Sequence, residues 1–358
     1  MIRYGFDRMI PELKKLWKTC FADEDAYIND FFAALYKGQD VLLAEENGVL
    51  MGASFFLPGK LLEGTGPDRW QEIRYVYALA VYPQFRGKGV AGRLLSHAHQ
   101  TYQAPLIAEP ANEGLIGGFY KPLGFEEAFY LEKEPAQIPR SYGVQAAEIR
   151  AADSPAGSAG TTASAQEVCS ADAVSYAKIR DAYFAKPGYI KWPVEHIAFA
   201  LQEHRANGGE ALIYKSGRKE DLLLYYTEDE RAVVTETTLP AAQAAELLSR
   251  FISKEHMPQT AVVWKPFSGT AISEKDKDLY RLTGMIYGTA ISEEDRGLCG
   301  LTGRICGTNI SEQGRGLCGL TGRICGTNIS EEDRGLCGLT GRICGTKPLR
   351  GYLNLSLD

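Results

Sequence analysis

At 358 residues the chain is long enough for two domains, and 45% hydrophobic with 23% charged residues is the ordinary composition of a globular protein in water. No apolar run approaches the roughly 18 residues needed to span a bilayer, and the opening MIRYGFDRMIPELKKLWK puts charges where a signal peptide keeps its apolar core, so a cytoplasmic protein is expected. A net charge of −6 argues against a nucleic-acid partner and either favours a cationic substrate such as an amine or simply serves solubility.

In chain order, Ile2–Tyr4 reads as a short strand, followed by an amphipathic helix about Ile10–Phe21 with Leu13, Leu16 and Trp17 on one face, and another about Ala26–Tyr36. Val41–Glu45 and Leu50–Leu57 read as strands flanking Glu46-Asn47-Gly48, a hairpin signal. Tyr75 to Ala98, YVYALAVYPQFRGKGVAGRLLSHA, is the most informative stretch: a β-branched and aromatic strand enters a basic, glycine-rich turn that opens into an amphipathic helix. Small residues at Arg86-Gly87-Lys88-Gly89-Val90-Ala91 let the backbone approach a ligand closely, and the free N–H groups of the helix start point outward with the positive end of its dipole. That is a socket for a phosphate anion.

Spacing decides which socket. The Walker pattern is not met, and Gly87, Gly89 and Gly92 nearly meet the dinucleotide pattern Gly-x-Gly-x-x-Gly. A dinucleotide-binding domain, however, places that turn after its first strand, and here a long stretch of other structure comes first. The segment resembles motif A of the GCN5-related N-acetyltransferases (GNAT), with the pattern Arg/Gln-x-x-Gly-x-Gly/Ala after a strand reading Leu-Ala-Val-x-Pro. Leu79-Ala80-Val81-Tyr82-Pro83 and Arg86-x-x-Gly89-x-Ala91 fit it. After an apolar strand, Pro105–Glu109, the string Gly118-Phe119-Tyr120-Lys121-Pro122-Leu123-Gly124-Phe125 resembles the family's Phe/Leu-Tyr-x-x-Leu-Gly-Phe ending of its fourth helix. A strand about Glu126–Glu132 completes a unit over 1–135.

The resemblance implies a GNAT fold, an α/β (α+β) architecture with a mixed central sheet, and acetyl-CoA as cosubstrate with no metal. It implies that backbone groups of Leu79, Val81 and Tyr82 bind the pantetheine arm like an added strand, and that Arg86, Gly87, Lys88, Gly89, Val90, Ala91 and Gly92 hold the pyrophosphate. Lys88 and Arg93 either supply charge near the phosphates or are solvated surface residues. Tyr120 takes the role of the acid that protonates the departing thiolate, against a bland reading as a core aromatic. One departure stands out: family members often carry Asn seven residues before the tyrosine, where this chain has Glu113, with Asn112 one step early.

Between Ala151 and Ser170 the chain turns to Ala, Ser, Gly and Thr, too little apolar surface to order itself, and the linker is placed over 136–170. Beyond it the pattern recurs. Helices are expected about Val174–Phe184 and Val194–Arg205, and strands at Ala211–Lys215, Asp221–Tyr226 and Ala232–Thr237. A helix Ala241–Ile252, a strand Ala261–Lys265, a helix near Ser273–Arg281 and a strand Met285–Tyr287 follow. This second copy, 171–287, has Thr238-Leu239-Pro240-Ala241-Ala242 where the first has its basic glycine turn, and reads as a degenerate GNAT-like domain. Such a tandem resembles, in architecture, the enhanced-intracellular-survival type of acetyltransferase, in which the terminal carboxylate reaches the first domain's active site. The resemblance thereby makes Asp358 a candidate base, beside the side chains of Glu109 and Glu72. His97, well along the motif helix, reads as a surface residue.

Gly269 to Tyr287, GTAISEKDKDLYRLTGMIY, is followed by three near-copies of the same nineteen-residue string over 288–344. The Asp278 and Arg281 positions become Gly297 and Gly300, each costing roughly 1 kcal/mol in a helix interior, and the Met285 position becomes Arg304. The copies read either as a looped-out insertion before a tail at 345–358, or as a small α/β stack or interaction surface. Cys299, Cys306, Cys318, Cys325, Cys337 and Cys344 alternate at separations of seven and twelve, a by-product of the repeat rather than a zinc pattern. Two functions therefore compete: an acetyl-CoA-dependent N-acetyltransferase acting on a small amine or lysine-like group without nucleic acid or membrane, and a coenzyme A-binding sensor or scaffold without turnover. Oligomeric state is open.

Overall fold

The computed structural model describes residues 1–21, 23–63, 70–139, 166–228, 230–252, 258–267 and 278–288. The chain opens with β1 (Ile2–Tyr4), α1 (Ile10–Phe21) and α2 (Asp25–Ala34), then the antiparallel run β2 (Val41–Glu46), β3 (Val49–Leu62) and β4 (Trp70–Val81). Asn47 and Gly48 take φ of 51° and 78°, the positive angles that match a two-residue turn to strand twist, and Glu46 pairs with Val49 across it. α3 (Val90–Tyr102) crosses to β5 (Leu106–Ala108), parallel to β4; α4 (Glu113–Leu115) runs on through a π-helical turn at Ile116–Tyr120 into β6 (Glu126–Gln137).

The same order then returns with β7 (Gln166–Ser170), α5 (Ala173–Phe184), the short β8 (Ile190–Lys191), α6 (Val194–Ala206), β9 (Glu210–Ser216), β10 (Lys219–Glu228), β11 (Arg231–Thr237), α7 (Ala241–Phe251) and β12 (Thr260–Pro266). The span expected as linker is shorter at both ends, because Ala136 and Gln137 extend β6 against β12 and Gln166–Ser170 pair with β9.

The larger correction concerns the last strand. β13 (Tyr280–Tyr287) does not join the second copy's sheet; it inserts antiparallel between β5 and β6 of the first. The helix expected near Ser273–Arg281 is extended chain at Tyr280 and Arg281, while 273–277 lie outside the described residues. In return the far half of β6 pairs with β12, from Leu131 opposite Pro266 to Gln137 opposite Thr260. β5 and β12 each end a parallel ladder, and their outer N–H and C=O groups need partners. β6, at 12 residues, is long enough to run beside β13 and then beside β12. Two sheets thereby become one, ordered β1-β2-β3-β4-β5-β13-β6-β12-β11-β10-β9-β7 among the described residues.

Side chains fasten β13 in this slot. Met285 is fully buried with Val90, Leu94 and Phe125 in the cluster under α3. Tyr287 stacks on Phe125 at 5.2 Å and meets His99 of α3 edge-on at 5.1 Å. The later repeat copies carry Arg304, Arg323 and Arg342 in place of Met285, so only the first copy fills the slot without burying a charge. Those copies and the chain end, 289–358, lie outside the described residues.

On the opposite face of the sheet, rings from both copies pack together. Trp17 lies 4.8 Å from Phe31, Phe31 stacks on Tyr77 at 5.0 Å, and Phe199 of α6 meets Phe31 at 5.8 Å. Trp192 stands edge-on to Tyr75 at 5.6 Å, with His196 buried behind it. Lys37 and Glu195 bridge α2 to α6 at 3.2 Å. Under α3, the buried Asp40 accepts from Arg74 at 2.7 Å, and the guanidinium lies 4.4 Å over the Tyr102 ring. Among the described residues no helix is long and apolar enough to cross a membrane.

Two outcomes follow for stability. Met285→Arg should cost about 3 kcal/mol or more by burying an unpaired charge, read as a lower urea midpoint; a variant as stable as the parent would show that β13 is not what seals the sheet. Burial, with Lys37 nearby, lowers the His196 pKa from 6.5 to about 4. The unfolded chain therefore binds the extra proton first, and at about 1.4 kcal/mol per pH unit roughly 3 kcal/mol present above pH 6.5 is lost as pH falls toward 4. His196→Gln should lose less stability than the parent between pH 7 and pH 4.5, and equal losses would refute this assignment.

Candidate active site

The site is built where β4 and β5 part. Their pairing is confined to Arg74 with Leu106 and Tyr75 with Ile107. β5 ends at Ala108 while β4 runs on to Val81, leaving one edge of Val76–Val81 without a β5 partner. Within that stretch Ala78 takes φ 47°, and the register with β3 jumps from Tyr77 opposite Phe55 to Ala80 opposite Ala53. This is a bulge held at a left-handed, non-glycine residue, and such bulges re-aim the groups that follow. Arg74 N–H donates toward β5, to Pro105 O at 2.9 Å, and Tyr82 N–H donates toward β3, to Met51 O at 3.0 Å. Strand alternation with the inserted residue therefore turns the backbone groups of Leu79 and Val81 to the open edge.

Tyr82 fits its expected role less well. Its N–H is taken by Met51 and its carbonyl accepts from Phe85 N–H at 2.9 Å, which leaves the side chain alone for a ligand. Val81 O is engaged too, by Arg86 Nε at 3.1 Å, a contact that folds Arg86 back over the turn.

The turn is open and shaped for close approach. Gly87 and Gly89 are exposed with φ of 74° and 69°, and a Cβ at Gly87 would meet nothing within 4 Å. Gly89 is the N-cap of α3, a position without a side-chain cap, so the first N–H groups beyond it face outward. Arg93 Nη1 donates to Lys88 O at 2.8 Å, bracing the turn, and Lys88 Nζ lies 5.4 Å from the Phe85 ring centre. Val90 is buried and anchors the helix start, and Ala91 is half-buried. A Cβ at Gly92 would come within 3.2 Å of Leu123, so glycine there lets α3 lie against the segment bearing Tyr120.

Tyr120 ends the π-helical turn, 8% exposed, edge-on to Phe119 at 5.0 Å and Phe125 at 5.2 Å. Asn112 accepts from Leu115 N–H at 3.1 Å and caps α4. Eight residues separate Asn112 from Tyr120, and the π turn takes up one more residue than an α turn. Glu113, seven residues before Tyr120, opens α4 directly after this cap.

Glu109 follows β5 directly, level with Tyr77 by the β4–β5 register. Its side chain is 6% exposed and accepts from Arg281 Nη2 of β13 at 3.3 Å. Glu72 lies at the other end of β4, exposed and paired with Lys60 at 3.0 Å. His97 is half-buried along α3, and Asp358 lies outside the described residues.

The second copy shows the contrast. Between β11 and α7, Thr237 Oγ1 accepts from Leu239 N–H at 3.1 Å, Thr238 Oγ1 donates to Asp221 at 2.8 Å, and Leu222 N–H donates to Thr238 Oγ1 at 2.9 Å. Leu239 and Ala241 are buried. The turn is stitched to β10 and has neither glycine nor a basic residue. Inside this copy Arg180 and Glu236 form a fully buried pair at 3.2 Å, with Tyr176 donating to Glu236 at 2.6 Å and Arg180 donating to Tyr189 at 2.8 Å. That network fills the helix-side face of β11.

A family model for the acetyltransferase (GNAT) domain matches residues 2–128. Among solved structures, the fold is similar to a probable N-acyltransferase from Enterococcus faecalis (TM-score 0.58, 13% identity, covering 80% of this chain and 71% of that one). It is also similar to Eis1 from Mycobacterium abscessus (TM-score 0.55, 13% identity, 83% and 75%) and to a GCN5-related N-acetyltransferase from Anabaena variabilis (TM-score 0.54, 12% identity, 80% and 72%). Comparison with curated proteins finds no match. The family model spans the unit that carries motif A on an open turn at the parting of β4 and β5, so residues 2–128 match an acetyltransferase (GNAT) domain.

Proposed function

We propose that the chain moves an acetyl group from acetyl-CoA to a primary amine, on a small molecule or a lysine-like group, by direct attack on the thioester. The observation that carries this reading is the open turn Arg86–Gly92 beside the unpaired edge of β4. One part of the chain can bind an extended amide-containing arm by strand-like pairing while the adjoining part takes a pyrophosphate.

When bound, acetyl-CoA supplies an activated acetyl group, whose carbon bonds to the amine nitrogen as the carbon–sulfur bond breaks. Leu79 and Val81 orient the arm through their backbone edge. The N–H groups of the α3 start hold the phosphates. Tyr120 gives a proton to the leaving sulfur, and Glu109 or the Asp358 carboxylate takes the proton from the amine. Glu109 has the stronger support, since it stands where the two strands part.

The rival reading, a coenzyme A-binding sensor or scaffold, draws on the burial of Tyr120 among aromatic rings. Thiol release from acetyl-CoA with a panel of amines separates the two: binding without release in any amine would favour the sensor. Gly89→Asp, which sets a negative charge at the turn, should weaken acetyl-CoA binding at least tenfold, about 1.4 kcal/mol; unchanged calorimetric affinity in the folded variant would remove the cosubstrate assignment.

Tyr120→Phe should lower kcat by about 10² or more with acetyl-CoA affinity nearly unchanged, and full activity would end its role as the acid. Removing 355–358 tests the base: a loss of similar size would transfer that role to Asp358, and a silent truncation would leave it with Glu109.

A further inference from the structure

Arg281 stands 172 positions from Glu109 in sequence and 3.3 Å from it in space. We infer that Arg281 is a positioning residue for the acceptor side of the site, holding the Glu109 carboxylate at the parting of β4 and β5; this rests on the acetyl-transfer reading above.

The argument starts from the strand exchange. β13 takes the place beside β5 in the first copy's sheet, with β6 on its other side and the far half of β6 against β12, and it runs antiparallel to β5 from Tyr287 opposite Leu106 to Met285 opposite Ala108. Its earlier residues continue past the end of β5, toward the open part of the site, and Arg281 lies on that extension. Glu109 begins where β5 stops and is level with Tyr77, one residue before the bulge at Ala78.

A carboxylate only 6% exposed needs a cationic or hydrogen-bonding partner to stay where it is. Arg281, 59% exposed, meets it from the solvent side. The distance of 3.3 Å exceeds the roughly 2.7–2.9 Å of a tight guanidinium–carboxylate contact. At that separation the guanidinium still offsets the carboxylate's charge, on the side where, on the reading above, an amine would arrive. The three later repeat copies have Gly300, Gly319 and Gly338 at this position. The first copy alone can fill the slot through Met285 and supply the guanidinium through Arg281.

The test uses the full chain, acetyl-CoA, and spermidine and N-α-acetyl-lysine as acceptors, with thiol release as the readout. Arg281→Ala should lower kcat about tenfold or more and leave acetyl-CoA affinity within about twofold. Arg281→Lys should recover most of the rate, since a cation returns at the same place. Glu109→Gln should lose at least as much as Arg281→Ala, and the double variant should be no slower than Glu109→Gln alone, because the two act as one unit. Thermal melting distinguishes positioning from folding: Arg281→Ala should melt within a few degrees of the parent. Parental kcat in Arg281→Ala, or additive losses in the double variant, would overturn the inference while leaving acetyl transfer intact. A parent protein that binds acetyl-CoA and acetylates neither amine would instead overturn the reading on which the inference rests.

Discussion

The backbone pairing of β13 between β5 and β6 is the constraint on which the rest of the structure turns. β5 is three residues long and shares only two pairs with β4. A strand so short, held on one side alone, would not keep a defined distance from its neighbour. With β13 against its other edge, β5 is fixed, and β4 can diverge from it without the sheet fraying. The open edge of β4 is thus a product of a closed edge one strand away. The same exchange sends the end of β6 to β12, so the rigidity of the catalytic half and the integrity of the second half draw on one another.

The two copies share an order of elements and differ in what they do with the turn after the central strand. In the first, glycine at positions 87 and 89 leaves the helix start without side-chain caps and open to a ligand. In the second, the N-cap of α7 is Pro240, also without a side-chain cap, but threonine hydroxyls tie the turn to β10, Leu239 and Ala241 are buried, and neither glycine nor a basic residue opens it. The helix-side faces differ as well: aromatic rings in one, a buried Arg180–Glu236 pair in the other. Phe199 and Trp192 of the second copy pack against Phe31 and Tyr75 of the first.

Much of this was legible in the chain. Helices such as Val194–Ala206 and strands such as Arg231–Thr237 carry local periodicity, and the turn at Arg86–Gly92 carries its chemistry in its composition. What escaped was non-local or single-residue in origin. YRLTGMIY reads as a strand whichever sheet it joins, and its neighbouring charges suggested a helix; only the burial of Met285 under α3 selects the partner. The Arg281–Glu109 contact had no sequence signal, because ion pairs across long separations leave none. Arg281, which the next repeat copy replaces with Gly300, lies in a strand rather than in the helix expected there.

The exchange also sets an order of events during synthesis. The first copy's strands β1 to β6 leave the ribosome well before β13 exists, and at about 5–20 residues per second the interval between β6 and β13 lasts roughly seven to thirty seconds. Throughout that time the edges of β5 and β6 that β13 later pairs with lack it as a partner, and unpaired strand edges recruit passing strands. The unit that carries the open turn is therefore made before the strand that completes its sheet. Any factor that shields nascent β edges would act on this protein in that window, and a chain cut short before Tyr280 would carry a motif-complete domain that never closes.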